Sequence, residues 1–322
     1  CYMDGNGVEQ DQEKAFQYFQ KASEAGDESA MFNLADCYFN GLGTEQSEEQ
    51  AVPWYQKAAE ANISIAQYML GTCYHFGKGV SPNEELALHW LRKAAEQDYV
   101  GAQYALGTLL FRNEDSGEND AEAVRWLERA AELGDIGSQV KLGVCYQDGY
   151  NVLEQGKVCF KEDMEKAVEL FQNAAEQGDA EGQFQLANSY RFGLGVKKNV
   201  PKMLYWLRLS AMQGYAEAQY ALGICYQDGI GVKADIEKAM DWYERSAAQN
   251  YPDAICSVGM YYLDEEDDVE TAKRLVYKAV QMDCPEAQYL MGMFLYEGDD
   301  SEEDEEAVSY THLRAHETSQ DL

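Results

Sequence analysis

The sequence predicts an all-α fold, an α-α superhelix or solenoid of stacked two-helix repeats with a period of about 36 residues. The first observation is a recurring phrase, small-Gln-aromatic-x-Leu-Gly-x-Cys-Tyr. Its central small residue is Ala35, Gly71, Gly107, Gly143, Ala187, Gly223, Gly259 and Gly292, at spacings of 36, 36, 36, 44, 36, 36 and 33. The second is a phrase of the type Trp-Tyr/Leu-x-Lys-Ala-Ala-Glu, anchored at Tyr18, Trp54, Trp90, Trp126, Leu170, Trp206, Trp242 and Leu275 with the same seven spacings. Because both ladders change by equal amounts at equal places, each insertion or deletion lies between the first phrase and the second. The third is a row of Gly, Asn and Asp at Gly26, Asn62, Asp98, Gly134, Gly178, Gly214, Asn250 and Asp283. These residue types tolerate the left-handed conformation that ends a helix.

The first phrase reads as helix A. In the second unit Ala66, Leu70, Cys73 and Tyr74 fall at i, i+4, i+7 and i+8, one helical face. A glycine in mid-helix costs about 1 kcal/mol against alanine, so its recurrence predicts close approach of a neighbouring backbone. Next comes a G-x-G connection, at Gly5-x-Gly7, Gly41-x-Gly43, Gly77-x-Gly79, Gly193-x-Gly195 and Gly229-x-Gly231. Such a pair can cradle a phosphate after a strand. Here it follows a helix and recurs, so a tight helix–helix turn is expected. Helix B starts at Ser47, which with Gln50 has the pattern of a capping box, and at the caps Asn83, Asp163 and Asp235. It carries the Ala58-Ala59, Ala94-Ala95, Ala130-Ala131 and Ala174-Ala175 pairs, which permit tight packing, and ends at the Gly/Asn/Asp row. Asp27, Asp135 and Asp179 then cap the next helix A. A single hairpin of this kind cannot bury its apolar face, whereas stacked ones can.

The repeat register divides the chain into 1–27 (the helix-B half of a repeat), 28–62, 63–98, 99–135, 136–179 with an insertion, 180–215, 216–251, 252–283 (short) and 284–307 (partial). Cys1 falls inside a repeat, so the natural N-terminus and any signal peptide are expected upstream. Residues 308–322 (VSYTHLRAHETSQDL) match nothing before them and look like a translated sequencing adapter, so they are set apart from the functional reading.

The pattern A-x-x-x-L-G-x-x-Y-x-x-G-x-G-V followed by D-x-x-K-A-x-x-W-Y-x-K-A-A-E-Q-G resembles the Sel-one-like repeat family, a relative of the tetratricopeptide repeats. Ala218–Gly231 and Asp235–Gln249 fit it almost completely, and the likeness runs from residue 1 to about 307. Three places depart from it: Asn113–Glu118 replaces the G-x-G turn, eight residues are inserted around Tyr150–Lys161, and Asp264–Asp268 is an acidic loop. The resemblance implies scaffold or adaptor work between proteins and no catalytic residues. It also raises one alternative, hydrolase activity as proposed for a cysteine-rich, disulfide-bonded branch of the family. That branch has two cysteines in each repeat, a pairing this chain lacks.

Composition narrows the partners. With 58 Asp and Glu against 25 Lys and Arg, the net charge is −33, and phosphate tracking needs a Lys or Arg at each contact. A nucleic-acid-binding helical repeat is therefore the weaker alternative, and docking on anionic lipid is disfavoured as well. No run of 18 apolar residues is present to span a membrane. Cys37, Cys73, Cys145 and Cys225 share one slot that Leu109 and Phe294 fill in other units, as expected of small core hydrophobes. Cys159 and Cys284 lie off it. The lack of pairing weakly favours a reducing, cytoplasmic compartment. His75 and His89 are the only histidines before residue 308, and no C-x-x-C zinc pattern occurs. Neither Asp264–Asp268 nor Glu297–Glu306, with eight acids in ten residues, has the alternating oxygens and sixth-position glycine of a calcium loop. No cofactor or metal is expected. The acidic runs could attract a basic partner.

Comparing the repeats separates fixed from free positions. Counted from the central small residue, offsets −5, −1, +2 and +3 are mostly apolar, while −2, +1 and +5 vary and share one side of helix A. In solenoids of the resembled type helix A lines the concave surface. The expected partner-binding stripe is Asp36, Asn40, Thr72, Phe76, Thr108, Arg112, Lys141, Asp148, Asn188, Phe192 and Asp228, with Asn33, Met69, Ala105, Val144, Gln185, Ala221 and Ile224 beside them. A solvent-facing surface free to drift would vary in the same way. The expected function is that of a monomeric, non-enzymatic scaffold holding a protein or peptide.

Overall fold

The computed structural model describes residues 9–111, 117–148, 162–264 and 268–296. Arg112, Cys159, the insertion at Tyr150–Lys161, most of Asn113–Glu118, the centre of the Asp264–Asp268 loop, the Glu297–Glu306 run and residues 308–322 lie outside them. The described residues form sixteen α-helices and no strand. The chain divides into two compact units, Cys1–Leu170 and Phe171–Leu322. Unit 1 holds α1 (Gln12–Glu24), α2 (Glu28–Asn40), α3 (Glu48–Glu60), α4 (Ser64–Phe76), α5 (Glu84–Glu96), α6 (Val100–Phe111), α7 (Gly117–Glu132), α8 (Ile136–Asp148) and the start of α9 (Met164–Glu176). Unit 2 holds the rest of α9, α10 (Ala180–Phe192), α11 (Val200–Met212), α12 (Ala216–Asp228), α13 (Ile236–Ala247), α14 (Pro252–Asp264), α15 (Val269–Val280) and α16 (Pro285–Tyr296). Even-numbered helices are A and odd-numbered helices are B. From α1 to α8 and from α10 to α16 each helix packs on the next one in sequence, the pattern of an α-solenoid.

The helix boundaries follow from the residues expected to set them. Asn62, Asp98, Asn250 and Asp283 are the non-glycine residues with positive φ among those described, and Gly26, Gly134, Gly178 and Gly214 complete the row. Asp27, Asn83, Asp179, Asn199 and Asp235 each accept a backbone N–H of the first turn. Asp135 and Asp163 do the same for Ser138 and Lys166. The box at Ser47 is only half formed. Ser47 Oγ accepts from Gln50 N at 3.3 Å, but the Ser47 N–H donates to Tyr38 O at 2.8 Å rather than to the Gln50 side chain. The same bond runs from Asn83 N to Tyr74 O and from Asp235 N to Tyr226 O, both 2.8 Å. The recurring Tyr at offset +3 thus supplies the carbonyl that anchors the following helix B.

The packing explains the small residues. A Cβ on Gly71 of α4 would sit 2.8 Å from Leu91 Cγ and 3.2 Å from the Ala87 carbonyl of α5, so helices A and B of one repeat meet where no side chain intervenes. The second glycine of the turn has a separate duty. Gly79, with φ of 68°, would place a Cβ 2.3 Å from the Glu48 carbonyl, at the start of the preceding helix B. The turn is therefore also a contact between repeats. The core follows the same logic: Leu34, Leu70, Leu106, Leu186 and Leu222, all at offset −1, are fully buried. At four of the five tryptophans a Lys or Arg three residues on lies over the ring, as Lys57 does over Trp54 at 3.8 Å; Leu209 takes that place after Trp206.

A ladder of buried glutamines joins successive repeats. Gln67, Gln103, Gln139, Gln183 and Gln219, at offset −4, donate through Nε2 to Ala59, Ala95, Ala131, Ala175 and Ala211, carbonyls near the C-terminal end of the preceding helix B. Each of those carbonyls also accepts the N–H of the left-handed residue three positions on, Asn62, Asp98, Gly134, Gly178 or Gly214. On the other side, Gln97, Gln213 and Gln249 donate to the Oε1 of Gln67, Gln183 and Gln219 at 2.7, 2.8 and 2.8 Å. Leu133 stands in that position one repeat after Gln97, and the buried Oε1 of Gln103 is left without a partner among the described residues. Leu133→Gln is expected to supply the donor and stabilise unit 1 by about 1 kcal/mol, seen as a higher urea midpoint. Gln249→Leu should lower stability by about the same amount. A Leu133→Gln chain no more stable than the parent would contradict the ladder.

Candidate functional site

The stripe residues lie on their helices as graded positions rather than as one uniformly open face. At offset +5, Asn40, Phe76, Asp148, Phe192 and Asp228 are exposed, the two phenylalanines by 64% and 53%. At offset +1, Asp36, Thr72, Thr108 and Asn188 are half-buried, as are Val144 and Ile224. At offset −2, Lys141 is exposed, Asn33, Met69, Ala105 and Gln185 are half-buried, and Ala221 is buried. Several polar members are satisfied locally. Asp36 Oδ1 accepts from Asn40 Nδ2 at 2.8 Å and from the Tyr55 hydroxyl at 3.5 Å, while burial pushes its carboxyl above the usual range. Thr72 and Thr108 hydroxyls donate back to the Met69 and Ala105 carbonyls at 2.7 and 2.9 Å. Phe76 and Phe192 at +5 are therefore the members that present the most exposed apolar area. Arg112 lies outside the described residues.

Unit 2 also contains a groove the free-position comparison did not single out. It has a volume of about 770 Å³ and is lined by residues of α12, α13, α14 and α16. Ser257, Met260 and Leu290 in its wall continue the −2 and +1 stripe beyond the sixth repeat, but Tyr220 and Tyr289 are at offset −3. That offset is aromatic in most repeats and is not among the free positions. In three repeats the ring at −3 packs, tilted, on an aromatic at the start of the next helix A: Tyr68 on Tyr99 at 5.1 Å, Phe184 on Tyr215 at 5.4 Å and Tyr220 on Tyr251 at 5.3 Å. Tyr289 itself is 70% exposed.

One wall of the groove is acidic. Donor atoms of Asp253, Cys284 and Glu286 lie within 4.8 Å of one another, and Cys284 Sγ donates to Asp253 Oδ1 at 3.4 Å. Burial first, then the Asp253 hydrogen bond and charge, holds the Cys284 thiol above its ordinary pKa. Cys256 is buried beside it and pushed up to about 12, mainly by burial. The core slot behaves alike, with burial raising Cys37 and Cys73 to about 11. These are packed thiols rather than nucleophiles. His75 and His89 sit edge-on to Phe76 and Trp90, with ring centroids 4.5 and 5.1 Å apart.

An all-α succession of short helical hairpins defines a helical-repeat protein of the interaction class. The comparisons agree. The Sel1 repeat model matches residues 1–27, 28–63, 64–99, 100–135, 136–179, 180–215, 216–251 and 285–311, and the chain belongs to the Sel1 repeat family. The α14–α15 pair falls in the stretch between the last two matches. Among solved structures the chain is similar to c5321, a protective antigen of uropathogenic Escherichia coli with an SLR fold. Identity is 30% over 98% of this chain and 67% of that one, with a TM-score of 0.73. It is also similar to a Sel1 repeat protein from Oxalobacter formigenes, at 33% identity over 73% of this chain and 91% of that one, with a TM-score of 0.66. No curated protein matches. The family is one of helical-repeat scaffolds for protein interaction. No helix among the described residues is long and apolar enough to cross a membrane.

A thiol reacts through its thiolate, and a pKa of about 11 leaves only about a thousandth of it ionised at pH 8. Alkylation of Cys37 and Cys73 in the native chain is therefore expected to be slow and to become fast in denaturant. Rapid native labelling, followed by peptide mass spectrometry, would contradict their placement in the core.

Proposed function

We propose that the chain is a non-enzymatic scaffold that holds a protein or peptide segment along the exposed side of its A helices. In unit 1 that surface comprises Asp36, Asn40, Thr72, Phe76, Thr108, Arg112, Lys141 and Asp148, and in unit 2 Asn188, Phe192 and Asp228. The observation that carries the reading is the exposure of Phe76 and Phe192 at one repeat position, since aromatic anchors dominate the energetics of protein interfaces. A net charge of −33 supports a basic partner and opposes nucleic acid. The raised thiols and the histidines packed on aromatic rings offer no activated nucleophile, which favours binding over hydrolysis. A monomeric chain suits this reading, because it leaves the A-helix surface open to the partner.

The combined variant Phe76→Ala, Phe192→Ala, Arg112→Glu and Lys141→Glu is expected to lose affinity-captured partners about tenfold or more. The two phenylalanines and Lys141 are exposed, so its far-UV circular dichroism should match the parent. Capture profiles that stay the same would refute the stripe.

A further inference from the structure

The groove of unit 2 has a chemical character that the stripe lacks. Fourteen residues line it; four are tyrosines, two are acids, and none is Lys, Arg or His. Asp253 enters from the first turn of α14 and Glu286 from the first turn of α16. Neither carboxylate takes part in an ion pair with a described Lys or Arg. Asp253 accepts from Cys284 Sγ, and the Tyr251 hydroxyl donates to it as well. Glu286 is exposed. The rings on the other side are held firmly: Tyr220 packs against Tyr243 and Tyr251 at 5.5 and 5.3 Å, and the Tyr243 hydroxyl donates to Gln227 Oε1 at 2.7 Å. Tyr289 is mostly exposed at the rim, and Met260 adds a polarisable sulfur.

We propose that this groove is a binding site for an arginine side chain of a partner protein, with the guanidinium between the tyrosine faces and the Asp253–Glu286 wall. Three features select that occupant. The acids make the cavity complementary to a cation, and the surrounding chain is negative throughout. The tyrosine faces attract a cation through their quadrupoles. A guanidinium, unlike an ammonium, can stack flat on a ring while forking two N–H bonds to a carboxylate, so arginine fits better than lysine. The volume of about 770 Å³ is well above that of one side chain, which leaves room for the flanking backbone of an extended segment. The inference rests on the scaffold reading for the existence of a protein partner, but on none of the stripe residues.

The test is fluorescence anisotropy on the intact chain. The probes are dye-labelled octapeptide mixtures, randomised except for one central arginine, and the same mixtures with citrulline, its uncharged isostere. The arginine mixture is expected to bind about tenfold more tightly. Tyr289→Ala and Glu286→Gln, both at exposed positions, should each remove most of that preference with the far-UV spectrum retained. Asp241→Asn with Glu244→Gln, exposed acids on α13 outside the groove, should leave it intact. Equal binding of arginine and citrulline overturns the proposal. So does a loss from Asp241→Asn with Glu244→Gln as large as that from Glu286→Gln, which would mark diffuse charge attraction. An arginine preference that Phe76→Ala with Phe192→Ala abolishes, and the groove variants do not, also overturns it while leaving the scaffold stripe standing. A preference that survives stripe variants with unchanged partner capture supports the groove and refutes the stripe instead.

Discussion

Each helix pair in this chain is incomplete without a neighbour, and the buried glutamine at offset −4 is where that dependence is most concrete. A buried glutamine amide must find its partners inside the protein, and the carbonyls at the end of the preceding helix B have a second lone pair to offer. Here the following repeat brings Gln67, Gln183 or Gln219 under the end of helix B, and the end of that repeat's own helix B returns an amide to the same glutamine. Leaving such a polar group buried and unpaired costs about 1–3 kcal/mol. Apolar burial works in the same direction, because the leucines at offset −1 and the alanine pairs of helix B are covered only when pairs stack. The turn glycine Gly79 adds a backbone contact across the same joint. Three different chemistries therefore hold each pair to the next.

Much of this was legible in the residues. Gly, Asn or Asp at the end of each helix B leads directly to the positive φ found there, because few other residues adopt that backbone cheaply. The mid-helix glycine predicts close approach, and the Leu91 and Ala87 atoms near Gly71 are that approach. The glutamine ladder was visible as a recurring letter but not as a role, since a polar residue between apolar ones gives no sign of which distant carbonyl it meets. The half-formed cap at Ser47 is similar: Tyr38 O competes for its N–H from across the turn, a tertiary contact outside the reach of a local pattern.

The candidate sites divide along the same line. Offset +5 could be read as open from variation alone, and Phe76 and Phe192 are exposed. Offset +1 varies too, yet Asp36 and the threonines are half-buried and bonded to their own helix, so variation does not by itself mean availability. The unit 2 groove was hidden for the opposite reason. Its tyrosines occupy a position that is aromatic in most repeats, where three rings pack on the next repeat.

The dependence of each pair on its neighbours is tested most directly by excision. Removing residues 216–251, one full period, joins Tyr215 to Pro252 at equivalent points of the repeat and presents each remaining pair with a neighbour of the same kind. The shortened chain is expected to keep its helicity per residue and to unfold cooperatively in urea. Removing 234–251 alone deletes helix B and sets two A helices in succession, and it should cost most of the helicity of unit 2. Equal loss of structure from both deletions would contradict a stack held together by nearest neighbours and would indicate a fold that needs contacts unique to each helix.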